Sequence, residues 1–288
     1  MTYDLIIIGK GPAGISAALY AARAGFGVLV IGKGRGALER AESIENYYGF
    51  AEPVSGAALA DAGVAQALRL GVSVLDEEAV GLSFEDEFVV RTTGSEFRSR
   101  VLLLATGKSR VQLKVPGFEE FRGKGIGFCV VCDGFFYRGK KVALVGAGDY
   151  AASEYHELTA FTKDITVFTD GVEVPADRFP GARIVSGKIE GFEGADRVSA
   201  VRSAGVSHPV DGVFVAVGTA GAADFAAKIG VISNGTDIAV DADFMTNVPG
   251  LYAAGDCIGG FLQVAKAVSD GALAAKAIVA RLKNSPRG

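Results

Sequence analysis

The chain is poor in the residues that hold metals and in long apolar runs. Its 288 residues include three cysteines, two histidines, two methionines and no tryptophan. Structural zinc takes four ligands. Beyond Cys129 and Cys132 the chain offers only Cys257, His156 and His208, none paired at ligand spacing, so no metal site is expected. The longest apolar runs, Leu5-Ile6-Ile7-Ile8 and Val101-Leu102-Leu103-Leu104-Ala105, have strand length and fall far short of a membrane span. Basic residues are not in excess: 29 Lys and Arg stand against 33 Asp and Glu, a net charge of −4, with no basic stripe to neutralise nucleic-acid phosphates. The start, Met1-Thr2-Tyr3-Asp4, lacks the basic region of a signal peptide, and few cysteines with one redox-type pair point to the cytoplasm.

What the chain does have is glycine, 40 residues of it, with 49% hydrophobic residues, the profile of an α/β protein with many tight turns. Leu5–Ile8 reads as a buried strand running into Gly9-Lys10-Gly11-Pro12-Ala13-Gly14, then an alanine-rich helix from about Ile15 to Ala24 and a second strand, Val28–Ile31. A Gly-x-Gly-x-x-Gly turn in this βαβ setting brings free helix-start amides close to a pyrophosphate. A second unit repeats the pattern: strand 141–145, turn Gly146-Ala147-Gly148-Asp149-Tyr150-Ala151, a helix, and strand 165–168. Residues 89–93 and 101–107 read as strands of an inserted small sheet, ending at Ala105-Thr106-Gly107 near the first nucleotide site. Near the end, a strand terminates at Gly255-Asp256 and a helix starts near Gln263.

Between the two glycine turns lies Cys129-Val130-Val131-Cys132-Asp133-Gly134-Phe135-Phe136. Cysteines at this spacing can close a small disulfide ring with a partly ionised attacking thiol, as thiol–disulfide exchange requires. The combination points to a flavin-linked dithiol oxidoreductase. Cys257 reads as a small buried residue, and His156 and His208 as solvent-facing.

In this order the motifs, together with Ile44-Glu45-Asn46-Tyr47-Tyr48-Gly49 and Pro249-Gly250-Leu251-Tyr252-Ala253-Ala254-Gly255-Asp256, resemble the low-molecular-weight thioredoxin reductases over nearly the whole chain. The resemblance implies two Rossmann-like domains: an FAD domain built from residues 1–112 and 241–288, and an inserted nicotinamide-type domain, 113–240, carrying the cysteines, with joints near Gln112 and Asp241. It also implies a homodimer and a swivel between the domains. By resemblance FAD would be held by Gly9, Gly11, Pro12, Ala13, Gly14, Gly36, Asn46, Thr106, Gly107, Gly255, Asp256, Gln263 and Val264. Cys132 would face the flavin, Cys129 would attack thioredoxin, and Asp133 would exchange protons with the thiol pair.

Several positions depart from that family. Its usual members carry arginines for the 2′-phosphate of NADPH after the fourth strand named above; this chain has Thr169-Asp170-Gly171-Val172-Glu173, whose acids would oppose a phosphate. Tyr150 stands where a small residue normally leaves the pyrophosphate approach open. Lys10 sits between the first two glycines, Leu262 replaces a common arginine, and Gly32-Lys33-Gly34-Arg35-Gly36 lacks the acid that usually holds the adenosine ribose. These features resemble the ferredoxin-dependent flavin thioredoxin reductases. The expected electron path runs from ferredoxin to FAD, to the Cys129–Cys132 disulfide, to thioredoxin. The alternatives are an NADH- or NADPH-dependent thioredoxin reductase, or a diflavin disulfide oxidoreductase with another partner. Lys10, Lys33, Arg35, Arg40, Lys108 and Arg110 are the candidate docking cations for ferredoxin.

Overall fold

A computed structural model describes residues 2–107, 113–175, 177–218, 222–234 and 237–284. Lys108, Arg110 and Gln112 lie outside these residues. The chain divides into two compact units, Met1–Ser109 with Gly221–Gly288, and Arg110–Ala220.

In the first unit, β1 (Thr2–Ile8), β2 (Val28–Ile31) and β3 (Ser73–Leu75) run parallel, with Ile8 beside Ile31 and Ile31 beside Leu75. The unbroken apolar runs of β1 and β2 suit strands covered on both faces. Helix α1 (Pro12–Arg23) starts three residues before the expected Ile15, because a proline is tolerated in the first helical turn, where its missing N–H costs nothing. Helix α2 (Gly56–Arg69) is capped by Ser55, whose Oγ accepts the Ala58 N–H at 3.2 Å. Strands β4 (Ala79–Phe84), β5 (Phe88–Thr92) and β6 (Glu96–Leu104) form an antiparallel meander. The expected inserted small sheet is corrected here. β6 is one nine-residue strand in which Glu96–Ser99 pair with β5 and Arg98–Leu104 lie along β1, so the meander and the parallel strands form a single sheet.

The second unit opens with two short helices, α3 (Phe118–Phe121) and, after β7 (Ile126–Gly127), α4 (Val130–Asp133). Then come β8 (Val142–Val145), α5 (Asp149–Leu158), β9 (Ile165–Phe168) and β10 (Arg183–Val185). A three-stranded antiparallel sheet comes next, β11 (Ile189–Gly194), β12 (Val198–Ser203) and β13 (Val206–Pro209). β14 (Gly212–Val215) completes a parallel sheet of order β10-β9-β8-β14-β7. Its core is aromatic, with Phe118, Phe121, Phe168 and Phe192 all buried.

The chain then returns to the first unit through α6 (Ala222–Lys228), the short pair β15 (Ser233–Asn234) and β16 (Asp237–Ile238), β17 (Leu251–Ala253) and α7 (Val264–Asn284). β17 lies parallel to the second half of β6, with Ala253 beside Leu104. The return falls at residues 220/221 rather than at 240/241. Asn247 explains this: its Oδ1 accepts the Ile232 N–H at 2.8 Å and its Nδ2 donates to Gly230 O at 3.0 Å, tying 230–232 to the segment that leads into β17. α1 and α7 pack closely because Gly271 has no side chain; a Cβ there would stand 2.1 Å from Ala13 O.

Candidate functional site

The first glycine turn joins β1 to α1. Gly9 has φ +116°, and a Cβ on it would lie 2.2 Å from Ala105 O, so β1 and β6 can end side by side only with glycine here. Gly14 is required by packing in the same turn, since its Cβ would meet Gly9 O at 1.8 Å. At Gly11, the N-cap of α1, a Cβ would meet nothing within 4 Å, and the first turn of α1 carries no acid. An open helix start with Pro12 and no carboxylate is a place for an anion.

Beside it, Thr106 Oγ1 is buried without a hydrogen-bond partner, and a buried hydroxyl left unmade marks a place for an incoming acceptor or donor. Gly107 and Asp256 are half-buried, while Ala13 and Gly255 are buried. Asn46 Nδ2 donates to Gln263 Oε1 at 2.9 Å, which brings the Asn46 loop to the start of α7, next to Val264. Gly36 is exposed, at the start of the turn Gly36–Arg40. The turn at Gly255 is held by two residues with no signature in the sequence. Asp270 accepts the Gly255 N–H at 3.1 Å, and Lys266 Nζ donates to Gly255 O at 3.0 Å, to Gly259 O at 2.7 Å and to Asp270 at 2.7 Å. Buried, open and orphaned polar groups around an anion-ready helix start fit a flavin dinucleotide.

The acid absent from the end of β2 is replaced in space from the next strand. Asp76, just past β3, accepts Lys10 Nζ at 2.7 Å and the Gly34 N–H at 2.9 Å. The Lys10 hydrogen bond, with the Gly34 amide, holds the Asp76 carboxyl below the usual carboxylate range. Lys10 lies against Gly32, where a Cβ would come 3.0 Å from the Lys10 Cγ. Of the expected docking cations, Lys10 is therefore committed to Asp76. Arg35 is bound to Asp61 at 2.8 Å and to Glu39 at 3.2 Å, and Lys33 stands 3.9 Å from Glu78. Arg40 is exposed.

The redox turn is α4. Cys129 and Cys132 form a disulfide across a Cα–Cα distance of 5.3 Å, Cys129 being the N-cap of the helix with its Sγ accepting the Cys132 N–H at 3.2 Å. Cys129 is buried and Cys132 exposed. Asp133 is half-buried and lines a cavity of about 640 Å³ with Lys124, Phe136, Lys140 and Arg197. Phe135 and Phe136 are 62% and 67% exposed directly after the cysteines. Cys257, as expected, is buried, and burial pushes its thiol up to about 12. His156 is exposed, but His208 is half-buried with its ring edge-on to Phe168 at 5.3 Å, because β13 lies over the core.

The second glycine turn repeats the backbone of the first and reverses its electrostatics. Gly146 has φ +151° with a Cβ position 2.2 Å from Ala216 O, matching Gly9 beside Ala105. Here, though, α5 begins with Asp149, which is salt-bridged to Arg178 from the segment after β9. Tyr150 turns inward, 2% exposed, and its hydroxyl donates to Phe128 O at 3.3 Å. Asp170 does not stand free as a phosphate-repelling acid. It adopts φ +50°, its Oδ1 accepts the Ile189 N–H at 2.9 Å, and Lys188 Nζ lies 3.5 Å from its Oδ2. At the start of α5 itself stand Asp149, paired with Arg178, and the buried Tyr150.

Residues 3–179 and 182–271 match the family model described as pyridine nucleotide-disulphide oxidoreductase. The chain belongs to that family. Its members of the thioredoxin reductase type are FAD-binding flavoproteins. The chain is 33% identical to the thioredoxin reductase of Listeria monocytogenes, over 98% of this chain and 96% of that protein, and 34% identical to that of Treponema pallidum, over 96% and 95%. Among solved structures it resembles the atypical thioredoxin reductase TRi from Desulfovibrio vulgaris Hildenborough, with a TM-score of 0.92, 39% identity and 99% of both chains covered. It also resembles a ferredoxin-flavin thioredoxin reductase from Clostridium acetobutylicum, with a TM-score of 0.75, 28% identity, and 98% and 99% of the chains covered. Among the described residues no helix is long and apolar enough to cross a membrane.

Proposed function

We propose that this chain is a flavin-dependent thioredoxin reductase that takes its electrons from reduced ferredoxin and passes them through FAD to the Cys129–Cys132 disulfide and then to thioredoxin. The observation that carries the choice of donor is the contrast between the two glycine turns. The first presents an acid-free helix start; the second is filled by the Asp149–Arg178 pair and by buried Tyr150. A nicotinamide dinucleotide would have to displace a half-buried ion pair and a packed phenol to lay its pyrophosphate on α5.

The residues that would hold FAD are Gly9, Gly11, Pro12, Ala13, Gly14 and Thr106 around the helix start, with Gly36, Asn46, Gly107, Gly255, Asp256, Gln263 and Val264 around them. When bound, the flavin supplies the exchange between one-electron and two-electron chemistry. The chain's own part is thiol chemistry. Cys132 is the exposed sulfur; Cys129, which the resemblance makes the attacking thiol, is buried and must become exposed before it meets a substrate disulfide. Asp133 stands in the same turn to give and take protons. Phe135 and Phe136 offer an apolar contact to the partner beside the disulfide, and the cavity with Lys124, Lys140 and Arg197 adds positive charge.

Energetics favour this direction. A ferredoxin near −400 mV lies about 130 mV below thioredoxin near −270 mV, about 6 kcal/mol for two electrons. The reading keeps the homodimer and the cytoplasmic setting; sedimentation of the holoprotein tests the first.

The deciding experiment is anaerobic flavin absorbance after adding NADPH, NADH or reduced ferredoxin in separate cuvettes. Bleaching by ferredoxin alone is the expected result. Rapid bleaching by either nicotinamide overturns the donor assignment and makes the chain a nicotinamide-dependent reductase, a second reading favoured by the neutralisation of Asp170 by Lys188.

A further inference from the structure

Lys266 stands in the first turn of α7, the positive end of the helix, where an acid is favoured and a cation is not. Its ammonium has three N–H donors, and three oxygens take them: Gly255 O at 3.0 Å, Gly259 O at 2.7 Å and Asp270 Oδ2 at 2.7 Å. Gly255 and Gly259 stand at the two ends of the turn Gly255–Ile258, which carries Asp256. One ammonium therefore gathers both ends of that turn and fastens it to α7. Asp270, one helical turn further on, accepts the N–H of Gly255 at 3.1 Å, so the pair grips Gly255 by its amide and by its carbonyl. Gly255 adopts φ +84°, and a Cβ on it would lie 2.8 Å from Ala13 Cβ, so the turn rests on the first helical turn of α1.

An ion pair is more than the shape of this turn requires. The Gly255 N–H needs only a neutral acceptor, and an asparagine would serve. The Asp270 carboxylate, 11% exposed, brings negative charge to the turn that abuts the acid-free start of α1, and on its own it would oppose an anion laid there. Asp256, half-buried in the same turn, adds a second acid. Lys266 supplies the counter-charge to Asp270 and places its other two donors on the turn itself.

We propose, on the reading that FAD lies against Asp256 and the starts of α1 and α7, that Lys266 is a positioning residue for it: Lys266 holds both ends of the Gly255–Ile258 turn and cancels the charge of Asp270 beside the cofactor's pyrophosphate. Its effect on the cofactor is indirect, through the turn it shapes and the carboxylate it neutralises. The strength of FAD binding then depends on the charge at residue 266 relative to the charge at residue 270.

The test is the FAD dissociation constant of the full chain, read from flavin fluorescence on dilution, for wild type, Lys266→Met, Lys266→Arg, and Lys266→Met combined with Asp270→Asn. In low salt Lys266→Met should weaken FAD binding by about tenfold, and in about 1 M salt by less. Lys266→Arg keeps the charge and should keep most of the affinity. Adding Asp270→Asn to Lys266→Met should restore part of the loss, because it removes the carboxylate that Lys266 had balanced. A merely structural role predicts neither the salt dependence nor the recovery. Circular dichroism identifies the variants that fold, and Lys266→Gln takes the place of Met where Met does not. A wild type that holds no FAD overturns the cofactor reading and this proposal together. A wild type that holds FAD, beside a folded neutral variant that holds it as tightly or that gains nothing from Asp270→Asn, overturns this proposal alone.

Discussion

Arg178 lies in a salt bridge with Asp149 at the first turn of α5, so the helix start that closes the second glycine turn already holds an anion and its counter-cation. The equivalent position of α1 is Pro12, and no acid occupies its first turn. Two turns of nearly the same backbone thus differ in whether an incoming phosphate meets free amides or a carboxylate.

Neutralising that carboxylate should expose the latent anion site. In Asp149→Asn, Arg178 loses its partner while the helix-start amides remain, and an anion there is worth about 0.3–1 kcal/mol. Pyrophosphate should raise the melting temperature of the variant and leave the wild type unmoved. Equal responses from the two proteins would mean that Asp149 does not guard the turn.

Thr106 offers the sharpest test of the flavin site. Its buried hydroxyl has no partner among the described residues, so it contributes nothing to the fold there that valine would not. Thr106→Val should keep the stability of the flavin-free protein and weaken FAD binding by about tenfold, the equivalent of about 1.4 kcal/mol. Flavin fluorescence on dilution measures the affinity. An unchanged affinity would remove Thr106 from the cofactor's contacts.

How much of this was legible in the sequence depends on how far apart the interacting residues lie. The βαβ turns announce themselves because strand, glycines and helix succeed one another within some twenty residues, and Cys129 and Cys132 are close enough for their spacing to carry the chemistry. Tyr150 could be singled out from its place in the turn, although only the fold shows it packed inward on Phe128. Asp76, Arg178 and Glu154 gave no local sign. Each reaches its partner through strand order or helix packing, Asp76 to Lys10 across 66 positions, Arg178 to Asp149 across 29 and Glu154 to Val130 across 24. Asp170 likewise has a partner that its neighbourhood in the sequence does not declare, Lys188, which arrives from beyond β10. The return at 220/221 was hidden because short elements such as β15 and β16 have no pattern that declares their unit.

Asp76 should give acid sensitivity of a definite sign. Its carboxyl is held below the ordinary range in the folded chain, first by Lys10. A group depressed on folding stabilises above its unfolded pKa, and that contribution is lost as pH falls through the folded value. The stability difference between wild type and Asp76→Asn should be present at pH 7, at most about 1 kcal/mol because the pair is solvent-screened, and vanish below the ordinary carboxylate range. Chemical denaturation at the two pH values measures it. A difference that persists or grows in acid would assign Asp76 another role.

The order of attack by the two cysteines can be read from single-thiol variants. Cys132→Ser leaves Cys129 as the free redox thiol, and Cys129→Ser leaves Cys132. If Cys129 is the sulfur that meets thioredoxin, Cys132→Ser should accumulate a mixed disulfide with an oxidised thioredoxin and Cys129→Ser should not, although Cys132 is the more exposed sulfur in the oxidised chain. Cys257 does not compete, because burial keeps its thiol protonated up to about pH 12. Non-reducing electrophoresis distinguishes the two variants. A mixed disulfide formed by Cys129→Ser instead would reverse the assignment, and it would mean that exposure in this state, rather than a later opening of the redox turn, selects the attacking sulfur.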